Sequence, residues 1–126
     1  MSSRDIISLL ESIQSSPASL RESLAEDPDA VLSQCREVID KLDLAIIQLL
    51  NHRVAAASVI ADVKKILDLP VYVPSREADV LRNIVDANHG PLDNDAAKRL
   101  YERIIDETRA NERQRYQDDA LDDSDR

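Results

Sequence analysis

Seven polar side chains stand at spacings that could do chemistry: Arg36, Arg53, Lys64, Arg76, Glu77, Thr108 and Glu112. Cations and polar donors of this kind, carried on helix faces, suit the gripping of a small anion. Arg53 and Lys64 are eleven residues apart. At about 100° per helical residue, eleven steps return to within roughly 20° of the same face, so the two can share one pocket. Arg36 precedes Arg53 by seventeen residues. That is roughly 25 Å along a helix and about 100° around it, so Arg36 cannot join the pair from the same helix. Thr108 and Glu112 are one helical turn apart and can face one cavity.

Other chemistries lack their parts. One glycine in the chain rules out a GxGxxG turn or a phosphate-cradling P-loop. His52 and His89 stand without the spaced Cys, His or carboxylate partners of a transition-metal site, and read as surface or loop residues. Ser/His/Asp nucleophile chemistry has neither a glycine-rich elbow nor a credible base. The single Cys35 excludes an internal disulfide framework, fits a reducing cytoplasm, and reads as an ordinary helix residue. Arg109, Arg113 and Arg115 read as a solvated helix face, as does one of the adjacent pair Lys64 and Lys65.

The element that must position these groups is the stretch from Cys35 to Leu67. Ile39, Leu42, Ile46, Leu49, Arg53, Ala56, Ile60, Val63 and Leu67 recur at alternating spacings of three and four. This is the seam of a long helix packing against other helices, with a guanidinium set into an apolar row. Asp27-Pro28 is a good helix start, Asp as N-cap and Pro at the first helical position. A helix from there to about Leu67 is some 60 Å long by the standard rise, too long to be buried in a monomer of this size. Its seam is expected to continue against a partner chain.

Around it the sequence predicts shorter helices. Residues 2–15 form an amphipathic piece with Ile6, Ile7, Leu9, Leu10 and Ile13, started by Ser2 or Ser3, and a second piece covers about 18–26. Leu69-Pro70 stops the long helix and VYVPS is an extended connector. Ser75 is expected to cap a helix over about 76–88, with Asn88-His89-Gly90-Pro91 as its stop. Asp93 or Asn94 starts the last helix, its inner face formed by Leu100, Tyr101, Ile104, Ile105 and Thr108. The organisation expected is an N-terminal helical extension over 1–32, a folded domain over 33–117, and a disordered acidic tail over 118–126.

Composition agrees with an all-α protein. The 126 residues suffice for one core, a third are charged, and no segment alternates with a period of two. A net charge of −9 opposes a nucleic-acid partner, and three Tyr with no Phe or Trp provide no stacking platform. The opening apolar residues are too few and too interrupted for a signal peptide or membrane span.

Five stretches together carry a resemblance: CREVIDKLD at 35–43, LLNHR at 49–53, VKK at 63–65, LPVYVPSRE at 69–77 and IIDETRANE at 104–112. Over about residues 33–117 the chain resembles the all-helical (AroQ-class) chorismate mutases. The LPxYVPxRE loop is similar to that of mutase domains fused to prephenate dehydrogenase. The resemblance implies a three-helix core and an intertwined homodimer in which each pocket takes one arginine from the other protomer. An antiparallel partner helix would deliver Arg36 to Arg53 and Lys64, which the spacing denies within one helix.

The reaction implied is the cofactor-free Claisen rearrangement of chorismate to prephenate, in phenylalanine and tyrosine biosynthesis. By similarity, Arg53 and the partner's Arg36 would hold the two carboxylates. Lys64 would bridge the ether oxygen and a carboxylate, and Glu112 would donate to the ether oxygen. Glu77 would accept from the ring hydroxyl, Thr108 would support a carboxylate, and Arg76 would back the electrostatics. Many relatives have aspartate where this chain has Val73, leaving only a backbone amide to assist the hydroxyl. Some carry glutamine in place of Glu112; a carboxyl there helps only when protonated, since an ionised one has no donor. The resemblance also leaves open an isochorismate-pyruvate lyase of the same fold, and a non-catalytic helical dimer whose first 32 residues dock on another shikimate-pathway enzyme, cover the pocket or pack on the bundle. A cytoplasmic location is expected, with no nucleic acid, membrane or metal involved.

Overall fold

The computed structural model describes the backbone of residues 3–12 and 17–124, and their side chains apart from those of Ser3, Ile6 and 117–124. Among these residues the chain forms five helices and no strand. Contacts divide it into two compact units, Met1–Arg53 and Val54–Arg126.

In the first unit, α1 (Ser3–Glu11) ends where Ser12 turns back on it. The Ser12 amide donates to the Ser8 carbonyl at 3.0 Å and its hydroxyl to the Leu9 carbonyl at 2.6 Å. Ser2, Ile13 and the side chain of Ile6, which belong to the predicted amphipathic piece, lie outside the described residues. Helix α2 (Pro17–Glu22) is shorter than the sequence suggests. Residues 23–26 form turns instead, with the Leu24 amide on the Arg21 carbonyl at 3.2 Å. The Asp27-Pro28 step explains this, since a residue before proline is pushed out of the helical region.

Helix α3 (Pro28–Leu67) has the expected ends. Asp27 caps it, accepting from the Ala30 amide at 3.1 Å, and Pro28 is its first residue. At the other end Asp68 takes a left-handed conformation, φ 54°. The Leu69 amide reaches the Lys64 carbonyl at 2.8 Å and the Asp68 amide reaches the Lys65 carbonyl at 3.3 Å. This crossed pair is a Schellman motif, usually closed by glycine. Lys41 of α3 donates to the Ser12 carbonyl at 3.2 Å, tying the end of α1 to the long helix. Leu20, Val31 and Ala45 are the buried apolar residues described in this unit.

In the second unit α4 (Pro74–Ala87) packs on α5 (Asn94–Ser124). Ser75 does not cap α4. Val73 occupies the N-cap without a side-chain bond and Pro74 begins the helix. Proline's fixed φ, with no amide to satisfy, starts the helix two residues earlier than a serine cap would. Between the helices Asn88 organises the turn, donating to the Leu92 carbonyl at 2.8 Å and to Asn94 Oδ1 at 2.9 Å. Asp93 caps α5 through the Ala96 amide at 2.8 Å. The backbone stays helical through Ser124, past the point where the sequence reading ends the folded domain. No glycine or proline interrupts that stretch, and Asp, Ala and Leu do not stop a helix already propagating.

The buried apolar residues here are small: Ala57 and Ala61 on α3, Ala97 and Ile105 on α5. Ala57, Ala61 and Lys64 follow one another at spacings of four and three, so they share a face. The predicted seam is a different face. Its Ile39, Leu42, Ile46, Leu49, Ile60, Val63 and Leu67 are all exposed in the single chain. By length and composition alone α3 would also pass for a membrane-crossing helix, which the sequence reading did not foresee.

Candidate active site

Three helices of the second unit bring polar groups together. Lys64, in the last turn of α3, is half-buried, and its Nζ donates to the Val71 carbonyl at 2.9 Å. That bond ties the cation to the connector between α3 and α4. On α5, Thr108 and Glu112 are buried, 7% and 9% exposed, one turn apart. Lys64 Nζ lies 3.9 Å from Glu112 Oε2. A carboxyl this buried needs a cation or a proton, and the alanine face of α3 positions the cation. The Thr108 hydroxyl donates to the Ile104 carbonyl of its own helix at 2.7 Å.

Glu77 stands in the first turn of α4, where the helix dipole favours an acidic residue. Its partner is Arg109 of α5, not the neighbouring Arg76, which is exposed. The Arg109 guanidinium also lies over the Tyr72 ring, 4.5 Å from its centroid. Val73 is the N-cap of α4, and its carbonyl accepts from the amides of Arg76 at 3.1 Å and Glu77 at 3.3 Å. The backbone of the Val73 position thus serves the helix carrying Glu77.

Beyond this cluster Arg115 donates to both carboxylate oxygens of Asp62, at 3.2 Å and 3.1 Å, joining α5 to α3. That hydrogen bond, with the Arg115 charge and a smaller contribution from Lys65, holds the Asp62 carboxyl below the usual carboxylate range against a desolvation that pushes it up. Lys65 sits 5.6 Å from the centroid of the Tyr116 ring.

Lys64 and Glu112 are therefore brought together, while Glu77 joins them through the connector and Arg109 and not through Arg76. Arg36 and Arg53 belong to the first unit, Arg36 exposed and Arg53 half-buried on α3. Among the described residues no group of three or more His, Cys, Asp or Glu is placed to hold a metal ion.

A helical core carrying these groups at these positions is matched by a family model, chorismate mutase type II, over residues 35–113. The chain belongs to that family. A bifunctional chorismate mutase/prephenate dehydratase of Neisseria gonorrhoeae is 38% identical over 90 residues, 71% of this chain and 24% of the relative. A protein of the same description from Pseudomonas aeruginosa is 39% identical over 79 residues, 59% of this chain and 22% of its own length. A T-protein of Enterobacter agglomerans is 40% identical over 52 residues, 41% of this chain and 14% of the relative. The chain thus spans about a quarter or less of the relatives it matches. The all-α fold is consistent with this family, and the matched span runs over most of α3, all of α4 and the first part of α5.

The sequence reading missed Arg109 and Arg115, which it placed on a solvated face. Both have partners from other elements. Their only signal was the presence of Glu77 and Asp62 elsewhere in the chain, and spacing along one helix does not report on another.

Proposed function

We propose that this chain is a chorismate mutase, converting chorismate to prephenate by Claisen rearrangement. The observation that carries the reading is the Lys64–Glu112 pair at 3.9 Å, half-buried Lys64 lying on the same face of α3 as Ala57 and Ala61 and meeting a buried carboxyl, within the family's matched span. In this pericyclic step the ether C–O bond lengthens ahead of C–C bond formation, and negative charge gathers on the ether oxygen. Catalysis needs the flexible dianion held in its reactive shape and fixed donors aimed at that oxygen. No nucleophile or cofactor takes part.

Lys64 supplies one donor from α3, and Glu112 supplies the other from α5 in its protonated form. Lys64 has three N–H donors, one of which anchors it to Val71 and keeps the ammonium in place. Glu77 accepts the ring hydroxyl, with Val73 contributing through backbone alone. Thr108 supports a carboxylate once its hydroxyl turns from the Ile104 carbonyl. Arg53 grips a carboxylate as a planar fork, Arg36 does the same from a second copy of the chain, and Arg76, exposed, contributes only long-range field. The exposed aliphatic seam of α3 is covered by that second copy in an intertwined homodimer, which accounts for its apolarity without a membrane.

The finer likeness of the 69–77 loop to dehydrogenase-fused mutases is part of this reading. So are a cytoplasmic location, a mutase domain over 33–117 and an appended N-terminal segment over 1–32. Purified protein should consume chorismate, followed by loss of its ultraviolet absorbance. Lys64→Ala should lower kcat/KM by about 10²–10³, the range for removing a donor to developing oxyanion charge, and Arg53→Ala should lower it too by removing the fork that holds a carboxylate. Intact turnover in both variants, or none in the unaltered protein, overturns the assignment.

A further inference from the structure

We propose that Arg109 is a positioning residue for this site, acting through Glu77 and the 68–73 connector; the inference rests on the mutase reading above. The guanidinium makes two contacts with elements other than its own. One is the ion pair with Glu77 on α4 and the other is the stack on Tyr72 of the connector, 4.5 Å from the ring centroid. The residue next to Tyr72 is Val71, whose carbonyl holds Lys64 at 2.9 Å, and Lys64 in turn pairs with Glu112 at 3.9 Å. A single side chain thus ties the hydroxyl acceptor to the strip of backbone that anchors the catalytic ammonium.

Charge gives the arrangement a second purpose. A dianion entering this unit meets two carboxyls, Glu77 and Glu112, and Lys64 is the cation paired with only one of them. Arg109 neutralises the other. Its side chain is 20% exposed and that of Glu77 28%, so solvent screens the pair only in part. A lysine would keep the charge but lose both the planar fork and the face that stacks on tyrosine. Glu77 and the connector hold parts of the substrate that do not change during bond rearrangement. Losing their placement therefore weakens ground state and transition state alike, and appears in KM.

Two measurements on the whole 126-residue chain decide this. Steady-state turnover of chorismate by Arg109→Met should show KM raised about tenfold with kcat within about threefold, and Arg109→Lys should fall between the two. In a Glu77→Gln background the same Arg109→Met change should cost at least about threefold less than in the parent, the remainder coming from the lost stack on Tyr72. Equal costs in both backgrounds would overturn the proposal, because Arg109 would then not act through Glu77. Hydrogen exchange supplies the readout that does not need turnover: amides between Leu69 and Glu77 should exchange faster in Arg109→Met. Unchanged exchange there overturns the proposal whatever the kinetics. An unaltered protein that leaves chorismate intact overturns the mutase reading instead, and exchange still decides whether Arg109 holds the connector.

Discussion

At the scale of single residues, the site depends on what a carboxyl does at Glu112. An ionised carboxylate offers no hydrogen to an ether oxygen, whereas a protonated one does. On the proposed role, activity should fall once the Glu112 carboxyl gives up its proton. In Glu112→Gln the amide donates whatever the pH, so its kcat/KM should lose that dependence. Identical profiles for the two proteins would remove Glu112 from the chemistry. Lys64 and Glu112 were legible in the sequence because each lies at a fixed helical spacing from another member of the set, Arg53 and Thr108. Glu77 was legible as a residue, but its partner was not. Arg76 is adjacent in sequence and points to solvent, while Arg109, thirty-two positions on, makes the contact. Helical periodicity describes one helix at a time, and an ion pair between α4 and α5 is a property of how two helices meet.

At the scale of elements, the ends of the helices were easier to read than their partners. Asp27 with Pro28, and Asp93, are caps whose chemistry is local, and the structure has them where the sequence suggests. Ser75 failed because Pro74 sets the helix start before a serine cap can act. The left-handed Asp68 carried no sequence signal, since glycine is the usual mark of that position. Relieving its Cβ should help: Asp68→Gly is expected to raise stability by about 0.5–1 kcal/mol, measured by urea unfolding. The Asp62–Arg115 clasp makes a prediction of a different kind. Its folded-state carboxyl titrates below its unfolded value, so the contribution is present at neutral pH and is lost as pH falls below about 4, through the folded value. The melting temperature of Asp62→Asn should be lower than that of the parent at neutral pH. The difference should vanish in acid.

At the scale of the whole molecule, the question is what covers α3. Its large aliphatic residues face outward in the single chain while alanines occupy the packed face. If two chains share their sites, each pocket draws Arg36 from one and Lys64 from the other. Mixing inactive Arg36→Ala with inactive Lys64→Ala under conditions that allow exchange should then restore activity. Half of the dimers would be mixed, each with one intact pocket of two, giving about a quarter of the parent activity. No recovery, in a mixture shown to form mixed dimers, would place Arg36 outside the partner's pocket. The long helix was readable from periodicity alone, because a repeat held over four cycles averages out local exceptions.

If a second copy covers that seam, dilution should act on this protein as a mild denaturant. A forty-residue rod with its leucines and isoleucines turned outward has little reason to stay ordered in solitude, so its melting point becomes a function of how crowded the tube is. Freshly translated copies of such a dimer would face the same predicament until a companion arrives, and their rate of maturation should then rise with the square of their number.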